Sequence, residues 1–220
     1  MAPKYQKGTL RAEEEKRRTV FKPLLDNPYT KATWPEVEDG ETLTELLVEL
    51  LAPLGTHADY VKRKVDPLPE APEISNHVTI GFNCTMEAIE RQAQEVYTQS
   101  FGAKAEDIVA ILVCRSDFES SLVVSHFPLS CCAASTTDTQ VKLVQLPKGS
   151  MSSLTKATGY QNLGVIGLRR DTPGAKTIFE IIAKIENVVV PWLNDAKKSL
   201  QPPNIKSMKT TAPVKVKKKK

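Results

Sequence analysis

From Glu41 the apolar residues Leu43, Leu46, Leu47, Leu50 and Leu51 recur at spacings of three and four, which places them on one face of a helix. That helix is predicted to end before Pro53, because proline removes a backbone donor and crowds the preceding turn. Residues 66–73, Asp-Pro-Leu-Pro-Glu-Ala-Pro-Glu, read as a linker, with the compact core beginning near Ile74. Strands and helices then alternate. A strand is predicted at 77–80, and a helix at 84–97 with Met86, Ile89, Ala93 and Val96 inward. The run 107–114, continuously apolar after Asp107, reads as a strand covered on both faces. A helix over 120–134, kinked or begun late at Pro128, precedes a strand at 141–146 and a short helix at 150–157. After a glycine turn at Gly159 come a strand at 164–169 and a last helix. Its stripe of Ile178, Ile181, Ile182, Ile185, Val188 and Val189 closes before Pro191. The alternation predicts an α/β fold, a three-layer α/β/α sandwich around a central mixed sheet of about four strands, without internal repeats.

The ends read differently. Residues 8–18 could form a charged helix, but Lys22-Pro23, Asn27-Pro28 and Trp34-Pro35 then impose extended or turn geometry. The expected organisation is an extended basic and aromatic arm at 1–40, a single α/β/α domain at 41–193 with its core at 74–190, and a lysine-rich tail at 194–220. Charge follows the same division. Residues 194–220 carry nine lysines against Asp195, net +8, and the first 22 residues are net +4, so a whole-chain charge of +4 leaves the middle at −8. A tail broken by Pro202, Pro203 and Pro213 is expected not to fold alone, and its lysines, including Lys215 and Lys217, suit a phosphate-rich partner. On the arm, Phe21, Pro28, Tyr29, Trp34 and Pro35 can dock a partner protein or pack on the chain's own core, and Trp192 joins them as a partner-binding candidate.

Enzymatic chemistry finds no support in the pattern. His57, His77 and His126 are scattered, and no HExxH, CxxC, Walker or Rossmann motif occurs, so no catalytic residue, metal site or cofactor is expected. Cys84, Cys114, Cys131 and Cys132 lack the spacing of a disulfide framework, and the vicinal pair reads as buried helix. No apolar run reaches membrane-spanning length and the first residues lack a signal-peptide core. Neither a membrane nor a small-molecule substrate is expected, and a reducing compartment is.

The segment Gly81-Phe82-Asn83-Cys84-Thr85-Met86-Glu87-Ala88-Ile89-Glu90-Arg91 carries the most specific signal. Gly81 permits backbone angles closed to other residues, and Asn83 is a favoured N-cap for a helix whose first N–H groups suit phosphate. The text resembles the glycine-x-asparagine-glutamate, x-x-lysine, alanine-isoleucine-glutamate-arginine signature of the kink-turn-binding ribosomal protein superfamily. Ser125 to Cys131 and Val144-Gln145-Leu146-Pro147 resemble further segments of that superfamily in the same order. The resemblance implies that RNA is gripped between this helix start and the loop Gly159-Tyr160-Gln161-Asn162-Leu163, with Tyr160 available to stack on an unpaired base. Read by itself, that loop could equally be a surface turn with Tyr160 packed down. Cys84 stands where those proteins carry glutamate and Glu87 where they carry lysine, so an acceptor for a guanine edge is lost and a carboxylate replaces a cation.

Further segments narrow the resemblance. Lys16 to Thr30 with Trp34-Pro35, Val141 to Lys148, Pro191-Trp192-Leu193-Asn194 and Lys209 to Val214 resemble the third Pop-type protein subunit of fungal ribonuclease P and ribonuclease MRP. That family implies a non-catalytic subunit of nuclear, mainly nucleolar, ribonucleoproteins in which RNA performs the cleavage of precursor transfer RNA and precursor ribosomal RNA. The implied partners are ribonuclease P RNA, ribonuclease MRP RNA and other protein subunits, including the large Pop-type scaffold protein. The alternative is a kink-turn-type protein of ribosomal or small nucleolar ribonucleoproteins.

Overall fold

Along the central apolar strand the side chains divide by parity. Ala110, Leu112 and Cys114 enter one core cluster, Ile111 and Val113 the other. In the computed structural model this strand, β3 (Ile108–Val113), lies inside a four-stranded sheet with β2 (Val78–Ile80), β4 (Lys142–Gln145) and β5 (Val165–Arg169). The order is β2-β5-β3-β4. β5 is antiparallel to both β2 and β3, whereas β3 and β4 are parallel. The structure describes residues 17–25, 34–64, 66–98, 106–136, 139–199 and 205–213. Its chain divides into two units, one Tyr29–Ser199 and the other Met1–Pro28 with Leu200–Lys220.

On one face of the sheet lie α1 (Gly40–Lys62), α4 (Ser150–Thr158) and α5 (Lys176–Ala183), burying Leu43, Leu47, Leu51, Leu54, Leu154, Ile178 and Ile182. The other face carries α2 (Phe82–Tyr97) and α3 (Phe127–Ala134), burying Ile89, Phe127 and Cys131. With α6 (Pro191–Lys198) these complete the three-layer α/β/α arrangement predicted from alternation. A register shift between Ile108 and Ala110 turns Ile108 to the α2 face. The side chain of Gln92 pairs with the displaced strand: its Oε1 accepts from the Ile108 N–H at 2.9 Å, and its Nε2 donates to the Ile108 carbonyl at 3.2 Å. Gly167 leaves room for the hydrogen-bonded pair of Thr79 on β2 and Thr85 on α2, since a Cβ there would meet Thr79 Oγ1 at 2.4 Å and Thr85 Cγ2 at 3.3 Å.

Three expectations fail, each for a physical reason. The first helix passes through Pro53 instead of stopping before it. Its buried stripe continues with Leu54 and Gly55, and burial on both sides of the proline outweighs the roughly 3 kcal/mol that an interior proline costs through its lost hydrogen bond and its ring clash. The last predicted helix ends at Ala183, although Ile185 of its stripe still enters the core, and Lys142 Nζ from β4 donates to the carbonyls of Ala183 and Ile185 and stabilises the helix end there. Beyond it Val189 is 57% exposed, and α6 follows across the predicted start of the tail. Finally, Asn83 is not the N-cap of α2; Gly81 holds that position with φ 85° and ψ 169°, a region open essentially to glycine.

In the second unit, β1 (Arg17–Leu25) pairs antiparallel with β6 (Ile205–Pro213), Phe21 opposite Lys209. Within the arm, Arg17–Leu25 is therefore a strand, and Arg17 and Arg18 belong to it rather than to a helix over 8–18, whose other residues lie outside the described ones. Part of the tail also pairs, with the arm as its template, which a reading of the tail by itself could not supply. Pro28, Tyr29, Lys215 and Lys217 lie outside the described residues.

Candidate nucleic-acid interface

The sheet order places the ends of β2 and β3 beside the start of β5. Gly81 N–H donates to the Val165 carbonyl and Cys114 N–H to the Gly164 carbonyl, both at 2.9 Å. The helix start at Gly81 and the loop Gly159 to Asn162, some eighty residues apart in sequence, thus flank one end of the sheet. Gly159 closes α4 with φ 69° and Asn162 has φ 54°, so the loop turns twice through left-handed backbone. Tyr160, at 44% exposure, and Gln161 face solvent, which favours a ring available for stacking over one packed down. No side chain caps α2, and Asn83, Cys84 and Glu87 are exposed along its first two turns.

Two predicted site residues do not belong to this surface. Leu163, at 2% exposure, is part of the core with Leu154 and Ile166, because the strand it enters has begun to alternate inward. Arg91 lies about 14 Å along α2 from its start. There it faces Glu106 at 3.6 Å rather than the loop. Trp34 is half-buried against the α2-side core, with the Arg115 guanidinium 5.0 Å from its ring centroid, while Phe21 on β1 is 65% exposed. Pro35 and Trp192 are partly buried.

Asp117 joins the loops at this end of the sheet. Its Oδ1 accepts from Gly149 N–H at 2.7 Å and its Oδ2 from Met151 N–H at 2.9 Å, so one carboxylate tethers the turn after β3 to the start of α4. In the sequence Asp117 is an ordinary strand-end aspartate, a lone acid in a turn whose partner loop lies elsewhere in the chain. Asp117→Ala is expected to lower stability by about 1–2 kcal/mol in urea unfolding. An unchanged midpoint would show that α4 holds its position without this tether.

Two buried thiols among the described residues are held away from the reactive thiolate form. Burial, with Asp117 adding, pushes the Cys114 thiol up to about 12, and burial with the Cys132 neighbour adding pushes Cys131 up as well. His126 stacks on Phe127 at 5.0 Å, meets the edge of Phe82 and places Nε2 3.2 Å from Met86 Sδ; burial lowers its pKa, with Glu90 opposing. Among the described residues no group of three or more His, Cys, Asp or Glu side chains could hold a metal ion. No described helix is long and apolar enough to cross a membrane. A groove of about 970 Å³ beside Trp34 and Arg115 is lined by Glu36, Glu38, Asp39 and Glu41, a charge unsuited to phosphate.

The two loop segments at one sheet end sit inside a longer match to known proteins. The family model described as RNase P subunit Pop3 matches residues 16–195. "Ribonucleases P/MRP protein subunit POP3" of Saccharomyces cerevisiae is 30% identical over 215 residues, covering 94% of this chain and 95% of the relative. "Ribonucleases P/MRP protein subunit pop3" of Schizosaccharomyces pombe is 25% identical over 191 residues, covering 84% and 82% respectively. The match takes in the α1 helix, the whole sheet and both loops of the candidate interface. This chain belongs to the RNase P subunit Pop3 family.

Proposed function

We propose that this chain is a non-catalytic, RNA-binding protein subunit of ribonuclease P and ribonuclease MRP. It supports 5′ processing of precursor transfer RNA and processing of precursor ribosomal RNA, with the cleavage itself carried out by RNA. The observation that carries the RNA-binding part is the convergence of Gly81 and the Gly159 to Asn162 loop at one end of the sheet, with Tyr160 exposed between left-handed turns. The assembly part draws support from the names of the yeast relatives. In this reading the protein works in the nucleus, mainly the nucleolus, and contacts both RNAs and other protein subunits, among them the large Pop-type scaffold protein. Phe21 on β1 and the aromatic arm residues serve docking to those subunits.

Purification of the tagged full chain from its own cells, followed by RNA sequencing, tests the proposal. Both ribonuclease P RNA and ribonuclease MRP RNA are expected to be enriched together, and the isolated chain is expected to leave a precursor transfer RNA uncut. Enrichment of box C/D or large-subunit ribosomal RNA in their place would favour the ribosomal or small nucleolar alternative.

A further inference from the structure

We propose that Lys62, Arg63 and Lys64, at the C-terminal end of α1, form an RNA-phosphate-binding patch that completes the Gly159 to Asn162 loop. The RNA backbone is then held on the α1 side of the sheet end, away from the altered face of α2. This inference rests on the RNA-binding role proposed above and assigns it residues that neither sequence motif contains.

The patch is positioned by helix packing. α1 and α4 run parallel: Gly40 sits against Pro147, Thr44 Oγ1 lies 3.0 Å from Ser150 Oγ, and Gly55 lies against Ala157. This pairing brings both helix ends to the same place, where Lys62 Nζ lies 3.4 Å from the Gly159 carbonyl. Lys62, Arg63 and Lys64 are all exposed, as is Lys156 one turn before the loop. Asp59 pairs with Lys62 Nζ at 3.8 Å, and the Lys62 side chain remains 60% exposed beside it. Such a pair is weak and exchangeable in water, so it leaves the ammonium available to phosphate.

Two contrasts point to RNA rather than to an ordinary basic helix end. Lys64 takes φ 53°, a left-handed position where glycine or asparagine is the usual choice, so three consecutive cations are kept at a conformational cost. The neighbouring surfaces carry the opposite charge. The exposed residues Glu87 and Glu90 follow Cys84 along α2, and Glu41, Glu45 and Glu49 line the exposed side of the first half of α1. A phosphate chain approaching Tyr160 and Gln161 therefore meets cations on one side and carboxylates on the other. Phosphate held by the cations leaves an unpaired base free to stack on Tyr160.

The test measures binding of the full chain to a ribonuclease P RNA transcript across a salt series, with excess competitor transfer RNA. Lys62→Gln/Arg63→Gln/Lys64→Gln is expected to bind at least tenfold more weakly and to flatten the slope of log K against log salt by roughly two, as loss of two or three phosphate contacts requires. Lys64→Gly separates binding from folding: it relieves the left-handed backbone, so its Tm should equal or exceed that of the parent while its RNA affinity falls about threefold. Unchanged affinity and slope in both variants, with the parent chain binding well, would overturn the patch and leave the cations as complements to the helix dipole. The patch is likewise overturned if the variants lose a protein subunit from the assembled complex but bind the transcript normally. A parent chain that binds neither the ribonuclease P nor the ribonuclease MRP transcript would overturn the RNA-binding reading itself.

Discussion

Alanine at position 55 is expected to destabilise the protein by about 3 kcal/mol, even though glycine to alanine in an exposed helix interior would stabilise it by about 1 kcal/mol. The reason is the distance between the two parallel helices. A Cβ built on Gly55 lies 2.0 Å from the Ala157 carbonyl oxygen, 3.0 Å from its carbon and 3.1 Å from Thr158 Cα. These are backbone atoms in the last turn of α4, and no rotamer change moves them aside. Either α1 or α4 must shift, and each is fixed elsewhere: α1 by Leu43, Leu47, Leu51 and Leu54 in the core, α4 by Leu154 and by the Asp117 tether. For a chain of this size the expected fall in Tm is roughly 6–12 °C, readable by calorimetry or circular dichroism. A Tm at or above that of the parent would show that the helices separate at little cost. Because Gly55 seats the end of α1 on the end of α4, the same variant should also displace Lys62 from Gly159 and weaken RNA binding beyond what partial unfolding explains.

The layered core is legible in the sequence because periodicity records burial directly. Alternating parity in β3, the Leu43 to Leu51 stripe and the late start of α3 at Phe127 all follow from local pattern. The features that local pattern does not reveal depend on partners distant in the chain. Pro53 sits within a helix because Leu54 and Gly55 have a neighbour to pack against, and that neighbour lies about a hundred residues later. The helix carrying the last stripe stops after Ile182, although Ile185 still reaches the core, where a lysine from β4 bonds the carbonyls at the helix end. The same distinction applies to the candidate interface. Gly81 and Gly159 stand out in the sequence because each needs backbone angles that other residues rarely adopt. Leu163 and Arg91 join the site only by proximity in sequence, and geometry removes both, one into the core and the other further along α2. Lys62, Arg63 and Lys64 read as an ordinary basic helix end until α1 is seen beside α4.

Cys84→Glu together with Glu87→Lys is expected to raise affinity for a kink-turn RNA at least tenfold over a mutated-kink control. Both positions are exposed on the first two turns of α2, with Gly81 opening the backbone before them and no side chain capping the helix start. A glutamate at position 84 restores a carboxylate acceptor for a guanine edge, a contact worth about 1–3 kcal/mol. At position 87, lysine replaces a carboxylate that repels phosphate with a cation that attracts it, one turn further along the same exposed face. Neither substitution touches the core, since Thr85 and Ile89 fill the buried positions of that turn, so Tm should change little. Gel shift or calorimetry with the two RNAs measures the difference directly. A folded double variant without gain would mean that the Gly159 to Asn162 loop no longer accepts the extruded base of a kink-turn. The sequence resemblance of this segment to the kink-turn binders would then carry no RNA contact with it, and the basic patch at the end of α1 would be left as the principal proposed grip on RNA.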